Sequence, residues 1–247
     1  MKIDLNCDMG EGCGNDAALM DYVSSANIAC GYHAGDAATM GKTVEIALEK
    51  SVSIGAHPGY PDRENFGRTA MSMSAKEIIA IVTDQVSTLG AIVQKMGGTL
   101  THVKPHGALY NQAARDTELA AAIAEAVHAF DPRLVLFGLS GSVSITEGER
   151  SGLTVASEVF ADRTYQRDGS LSPRGSAGAL IQETPKALAQ AMQMLTSGTV
   201  TTLTGETIPI RAETICLHGD GEHAVEFAAA IYQSLKEHNI EVLPING

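Results

Sequence analysis

The chain has 247 residues, 44% hydrophobic and 19% charged, with 29 Asp and Glu against 17 Lys and Arg, a formal net charge of −12. That acidity opposes phosphate backbones and anionic lipid, and 4% aromatics with no Trp leave no stacking platform for single strands or sugars, so nucleic acid and membrane are excluded as partners. The opening MKIDLNCDMGEG lacks the apolar run of a secretory signal and no stretch approaches the ~20 apolar residues of a span, so a cytoplasmic protein is expected.

Strand-like runs are predicted at 2–8, 25–31, 53–57, 100–106, 134–139, 154–162 and 213–220. Between them the apolar residues recur with a helical period. Met40, Val44 and Ala47 mark a helix after the second strand. Ser74 and Glu77 form a capping box ahead of the stripe Ile78, Val82, Val86, Leu89, Val93 and Met96, which Gly97-Gly98 ends. Asp116 caps a helix with Leu119, Ile123, Val127 and Phe130 on one face. Thr184-Pro185 opens another, with proline in its first turn. A small hairpin is expected at 200–211 around Thr204-Gly205, and a last helix from about 222 to 236.

Seven strands alternating with helices imply a parallel α/β sheet with right-handed crossovers. An open sheet gathers its ligand groups at one switch point, whereas a barrel gathers them from all strands at one mouth. Here nearly every strand leads to a polar residue: Asp8, His33, His57, His106, Asp162 and Asp220. The expectation is a seven-stranded β/α (TIM-like) barrel over residues 1–247 as a single domain, with the hairpin as an insertion. Polar loops at 58–73 and 166–176 follow strand ends, where such loops build or cover a site.

Strand parity locates the chemistry. Asp4, Asn6 and Asp8 share one face, as do His102, Lys104 and His106, then Glu158, Phe160 and Asp162, then Cys216, His218 and Asp220. Carboxylates and imidazoles pointing into a barrel are costly unless they serve a site. The set suits hydrolysis, with carboxylates as bases or cation ligands, imidazoles as proton carriers or ligands, and Lys104 and Arg163 for anions. Asp8 and Asp220 are expected to be close, either as an acid/base pair or with one held in a salt bridge to Lys104 or Arg163. Asp8, His33 and His57, from three consecutive strands, form a candidate set for a divalent cation.

Other signals fail on spacing. Asn15 stands where G-x-G-x-x-G needs glycine after Gly10 and Gly12, and Asp36 stands where a P-loop ending in Gly41-Lys42-Thr43 needs its first glycine. Ser140 and Ser142 do not lie in a G-x-S-x-G elbow. Cys7, Cys13, Cys30 and Cys216 lack paired spacing and read as free thiols.

The blocks LNCDMGEG (5–12), SANIACGYHAGD (25–36), IGAHPGYPDRENFGR (54–68), HVKPHGALYN (102–111), EVFADRTYQRDGSLSPR (158–174) and CLHGDGEHA (216–224) closely resemble the LamB/YcsF family over essentially the whole chain. The resemblance implies a barrel related to glycoside hydrolases and polysaccharide deacetylases. It implies ATP-dependent hydrolysis of the 5-oxo-L-proline (pyroglutamate) lactam to L-glutamate, with 5-oxoprolinase subunits B and C as partners and ATP used through the complex. On that reading Asp8 or Asp220 is the base, Lys104 and His106 stabilise the oxyanion, and Arg163 or Arg63 takes the carboxylate. Asn6, Glu11, Asn27, Glu158, Asp162 and His218 complete the substrate-facing set. The competing expectations are a stand-alone metal-dependent deacetylase-like hydrolase and a non-catalytic scaffold subunit.

Overall fold

The structure, a computed structural model, describes residues 1–217 and 223–245. Seven parallel strands close on themselves: β1 (Lys2–Met9), β2 (Ser25–Ala29), β3 (Ser53–His57), β4 (Leu100–Val103), β5 (Val135–Leu139), β6 (Thr154–Phe160) and β9 (Thr214–Leu217). Strand β1 pairs with β2 through Asn6↔Ser25 and with β9 through Asp4↔Thr214, which shuts the barrel. The hairpin between β6 and β9 consists of β7 (Thr199–Thr201) and β8 (Thr207–Pro209), antiparallel to each other. A two-residue strand, β10 (Glu241–Val242), lies against Lys2 and Ile3.

The helices are α1 (Asp16–Leu19), α2 (Ala37–Glu49), α3 (Ala75–Lys95), α4 (Gly107–Ala113), α5 (Thr117–Phe130), α6 (Val143–Arg150), α7 (Thr184–Ser197) and α8 (Ala224–Glu237). Helix α3 has the reciprocal Ser74–Glu77 capping box, and the Asp116 side chain accepts from Glu118 N and Leu119 N to start α5. Asp36, which spoils the P-loop spacing, is the N-cap of α2 and accepts from Thr39 N. Outward residues of the strands, such as Ile3, Leu5, Cys7 and Met9, join the helices in one buried apolar cluster. A small apolar group of Val135, Phe137 and Ala156, with Ile245 against it, is set apart from that cluster.

Several boundaries differ from expectation for local reasons. Strand β2 stops at Ala29, before Gly31 with φ +94°. Strand β4 stops at Val103, and Pro105, which has no N–H for a ladder, precedes helix α4 at Gly107. Strand β6 ends at Phe160, short of Asp162. Helices α4 and α6 escape a period search because each is only about two turns long. Glycine inside α6 also disguises it, yet a Cβ on Gly148 would sit 2.6 Å from Val155 Cγ1, so helix and sheet approach closely only without one. The start of the last helix expected at 222 lies outside the described residues, as do His218 and Asp220.

Candidate active site

Inward parity builds a polar interior in two tiers. The lower tier centres on Lys104, just past β4 and only 2% exposed. Its Nζ lies 2.9 Å from Asp8 Oδ1, 2.8 Å from Glu158 Oε1, 3.2 Å from Asn6 Oδ1 and 3.0 Å from Cys216 Sγ. Burial works against the ammonium, but Asp8, Cys216 and Glu158 outweigh it and hold the Lys104 pKa well above its ordinary value.

The amides around it have fixed directions. Asn27 Nδ2 donates to Asn6 Oδ1 (2.7 Å) and Asp8 Oδ1 (2.9 Å), while its own Oδ1 faces His102 Nε2 at 2.8 Å. Asn6 Nδ2 donates to Glu158 Oε1 (3.0 Å) and Thr214 Oγ1 (2.6 Å). Below them, Asp4 accepts from Ser24, Ser25 and Thr214 hydroxyls; burial still raises its carboxyl above the usual value. His102 stacks on Phe137 at 4.3 Å, and a Cβ on Gly55 would come within 2.0 Å of its Nε2. Burial lowers the His102 pKa to about 3, so it is neutral.

The upper tier is made by a strand end and the loops around it. Glu11 sits between Gly10 (φ +72°) and Gly12 (φ +87°), a turn pinned by the Gly10 N–H to Asp16 Oδ2 at 2.9 Å. His33 follows β2, His57 ends β3 and His106 caps α4. One ligand atom from each of Glu11, His33, His57 and His106 lies within 4.8 Å of the others. Glu11 Oε1 is 3.2 Å from His33 Nε2, 3.4 Å from His106 Nδ1 and 3.9 Å from His57 Nε2. His33 and His106 stack at 3.7 Å, with the Phe66 ring edge-on to both. Phe66 (φ +58°) and Gly67 (φ +65°) turn the 58–73 loop onto the imidazoles, and a Cβ on Gly67 would meet His33 Cβ at 2.8 Å. Burial pushes His33 down to about 3 and His106 to about 2. His57 is equally buried, but Asp8 overcomes that and raises its pKa.

Asp8 joins the tiers: Oδ1 accepts from Lys104 and Asn27, and Oδ2 lies 3.3 Å from His57 Nε2. The structure therefore brings Asn6, Asp8, Asn27, Lys104 and Glu158 into one network and Glu11, His33, His57 and His106 into another. The mutually close donor set takes Glu11 and His106 where the sequence suggested Asp8 with His33 and His57. Strand parity turns Asp8 down toward Lys104, while the glycine turn brings Glu11 over the histidines.

Elsewhere in the candidate set, Arg63 Nη1 donates to the carbonyls of Gly31 (3.0 Å) and Gly35 (2.9 Å) and so pins the loop after β2. Arg163 is buried, with Nη2 donating to Ser172 O at 2.7 Å and Nε without a hydrogen-bond partner among the described residues. Burial and neighbouring Arg174 lower its pKa, with Asp162 opposing them. Sequence reasoning did not single out His102, Cys216 or Thr214 as site residues, although all three lie on inward parity. It had no signal for Phe66.

The LamB/YcsF family profile matches residues 3–247. A lactam utilization protein from Thermus thermophilus is 43% identical, with a TM-score of 0.92, covering 98% of this chain and 99% of that one. A protein from Enterococcus faecalis has a TM-score of 0.57 at 11% identity, covering 99% and 97%. The peptidoglycan deacetylase PdaC from Bacillus subtilis has a TM-score of 0.51 at 12% identity, covering 99% and 88%. The last two share the fold alone. No helix among the described residues is long and apolar enough to cross a membrane.

Proposed function

The chain belongs to the LamB/YcsF family, and from that premise we propose that it is the lactam-opening A subunit of an ATP-dependent 5-oxoprolinase. A five-membered lactam is an unreactive amide, so its opening needs an activated oxygen. Phosphoryl transfer from ATP, carried out with partner subunits B and C, places phosphate on the lactam oxygen. Water then adds to that carbon, the C–N bond breaks to leave γ-glutamyl phosphate, and a second water releases phosphate and L-glutamate.

The observation that carries this reading is the divided environment of Asp8. One oxygen is held by Lys104 and Asn27, and the other faces the histidine tier. A carboxylate so oriented is a general base for the attacking water. Lys104 shares its three hydrogens among Asn6, Asp8, Glu158 and Cys216, so its role is to anchor Asp8 rather than to donate to an oxyanion. Arg163, whose buried Nε has no hydrogen-bond partner among the described residues, takes the substrate carboxylate in preference to Arg63, whose Nη1 is occupied by backbone. Three imidazoles and a carboxylate are donors suited to a divalent cation, which would supply Lewis-acid polarisation by expanding to a fifth position for the substrate oxygen.

That donor set favours a second reading, a metal-dependent hydrolase acting without ATP or partners. One experiment separates the two. ADP formation and glutamate release are measured with 5-oxoproline while each subunit is omitted in turn. Glutamate release that needs all three subunits and ATP supports the first reading, and release by this chain alone overturns it.

A further inference from the structure

Following the ring hydrogens of the upper tier shows what its centre must hold. His57 Nδ1 lies 2.7 Å from Lys104 O, and His106 Nε2 lies 2.8 Å from Phe66 O. A carbonyl oxygen only accepts, so both of these nitrogens carry hydrogen. In a neutral imidazole the other nitrogen then presents a lone pair. Those two nitrogens, His57 Nε2 and His106 Nδ1, face each other at 2.9 Å. Glu11 Oε1 and His33 Nε2 complete the same small volume. Lone pairs converging at this distance repel unless a positive charge lies among them, either a proton on His57 Nε2, which Asp8 favours, or a metal ion. Only the metal ion also uses Glu11 Oε1 and His33 Nε2.

We propose that Glu11, His33, His57 and His106 form a zinc-type transition-metal centre, bound through Glu11 Oε1, His33 Nε2, His57 Nε2 and His106 Nδ1. A tetrahedral ion with bonds of about 2.0–2.1 Å places its donors about 3.3–3.4 Å apart. The measured separations of 2.9, 3.2, 3.4 and 3.9 Å bracket that value. Nitrogen-rich donors select zinc-type ions over Mg²⁺ and Ca²⁺, which take oxygen. The carbonyls of Lys104 and Phe66 are the outer partners that orient ligating histidines. His33 has none, because its Nδ1 is buried without a hydrogen-bond partner among the described residues, and it is therefore the least firmly oriented ligand. Asp8 touches His57 but lies outside the set of four.

The test uses the full chain, stripped with chelator and titrated with Zn²⁺ against a competing indicator and with Co²⁺ by visible absorption. The expected result is one ion per chain with tetrahedral Co²⁺ bands, and no competition from Mg²⁺ at equal concentration. Losing even an outer partner costs about 10–100-fold in affinity, so His57→Gln and His106→Gln are each expected to weaken Zn²⁺ binding by more than ~100-fold. His33→Gln is expected to cost less than either, and Asp8→Asn to leave binding within a few-fold. Where a variant fails to fold, X-ray absorption on the Zn²⁺-loaded native chain is expected to show imidazole scattering from three ligands. Absence of stoichiometric binding would overturn the proposal. So would fewer than three imidazoles, or a site abolished by Asp8→Asn but kept in His106→Gln.

Discussion

The two tiers of the barrel interior use similar residues in opposite ways. Around Lys104, donors and acceptors are matched: the ammonium lies between Asp8 and Glu158, and Asn6 and Asn27 pass their hydrogens in one direction. Around His57, ring nitrogens and carboxylate oxygens converge with lone pairs facing inward. The first is a hydrogen-bonded frame of one ammonium between two carboxylates, and the second is poised for a ligand. Substitutions in the lower tier should therefore register as lost stability, and those in the upper tier as lost binding or chemistry.

The largest effect is expected where the tiers meet. Asp8→Asn removes the base, and loss of general base catalysis lowers glutamate release by about 10²–10⁴-fold, read from kcat in the reconstituted complex. A change below tenfold would break the assignment. Next, Lys104→Met leaves the buried Glu158 and the part-buried Asp8 without their ammonium. Breaking such a pair costs about 3–5 kcal/mol, which by the scaling for a chain this long lowers Tm by roughly 6–20 °C, measurable by calorimetry.

Those two residues were readable from sequence because strand periodicity alone sets which way a side chain points. Asn6, Asp8, Lys104, Glu158 and Cys216 all fall on inward parity, and the polar residues at nearly every strand end pointed to the closed barrel that the β1–β9 pairing makes. The upper tier was less readable. His33, His57 and His106 were legible as polar residues at strand ends, but Glu11 reaches them through the Gly10–Gly12 turn and Phe66–Gly67 closes over them, and such irregular backbone has no period. Arg63 shows the same limit: a cation in a polar loop reads as a substrate ligand, but capture by the carbonyls of Gly31 and Gly35 depends on loop packing.

A smaller effect probes the wall between the tiers and the apolar group behind them. Gly55→Ala would push a methyl into His102, and overpacking costs about 1–3 kcal/mol, so a denaturation midpoint lowered without a change in m is expected. Acid provides a graded test on metal-stripped protein. His102, His33 and His106 have folded pKa values near 3, 3 and 2, below the unfolded value of about 6.5. The unfolded chain then binds more protons below pH ~6.5, and stability falls as pH drops, by up to about 1.4 kcal/mol per pH unit for each histidine. His57, raised instead, contributes stability that is present below pH ~6.5 and lost as pH rises through its folded pKa. Stability measured by urea titration should thus peak near pH ~6–7, and a flat profile from about pH 4 to 7 would count against neutral buried imidazoles. The smallest effect lies outside both tiers: Ser74→Ala removes the α3 cap for about 1 kcal/mol, with metal binding and activity unchanged.

The most direct measurement follows ADP formation and glutamate release together in the complex carrying Asp8→Asn. If Asp8 activates water after ATP has been used, ADP formation continues while glutamate release collapses. Glutamate release at the native rate would contradict the proposed role of the barrel.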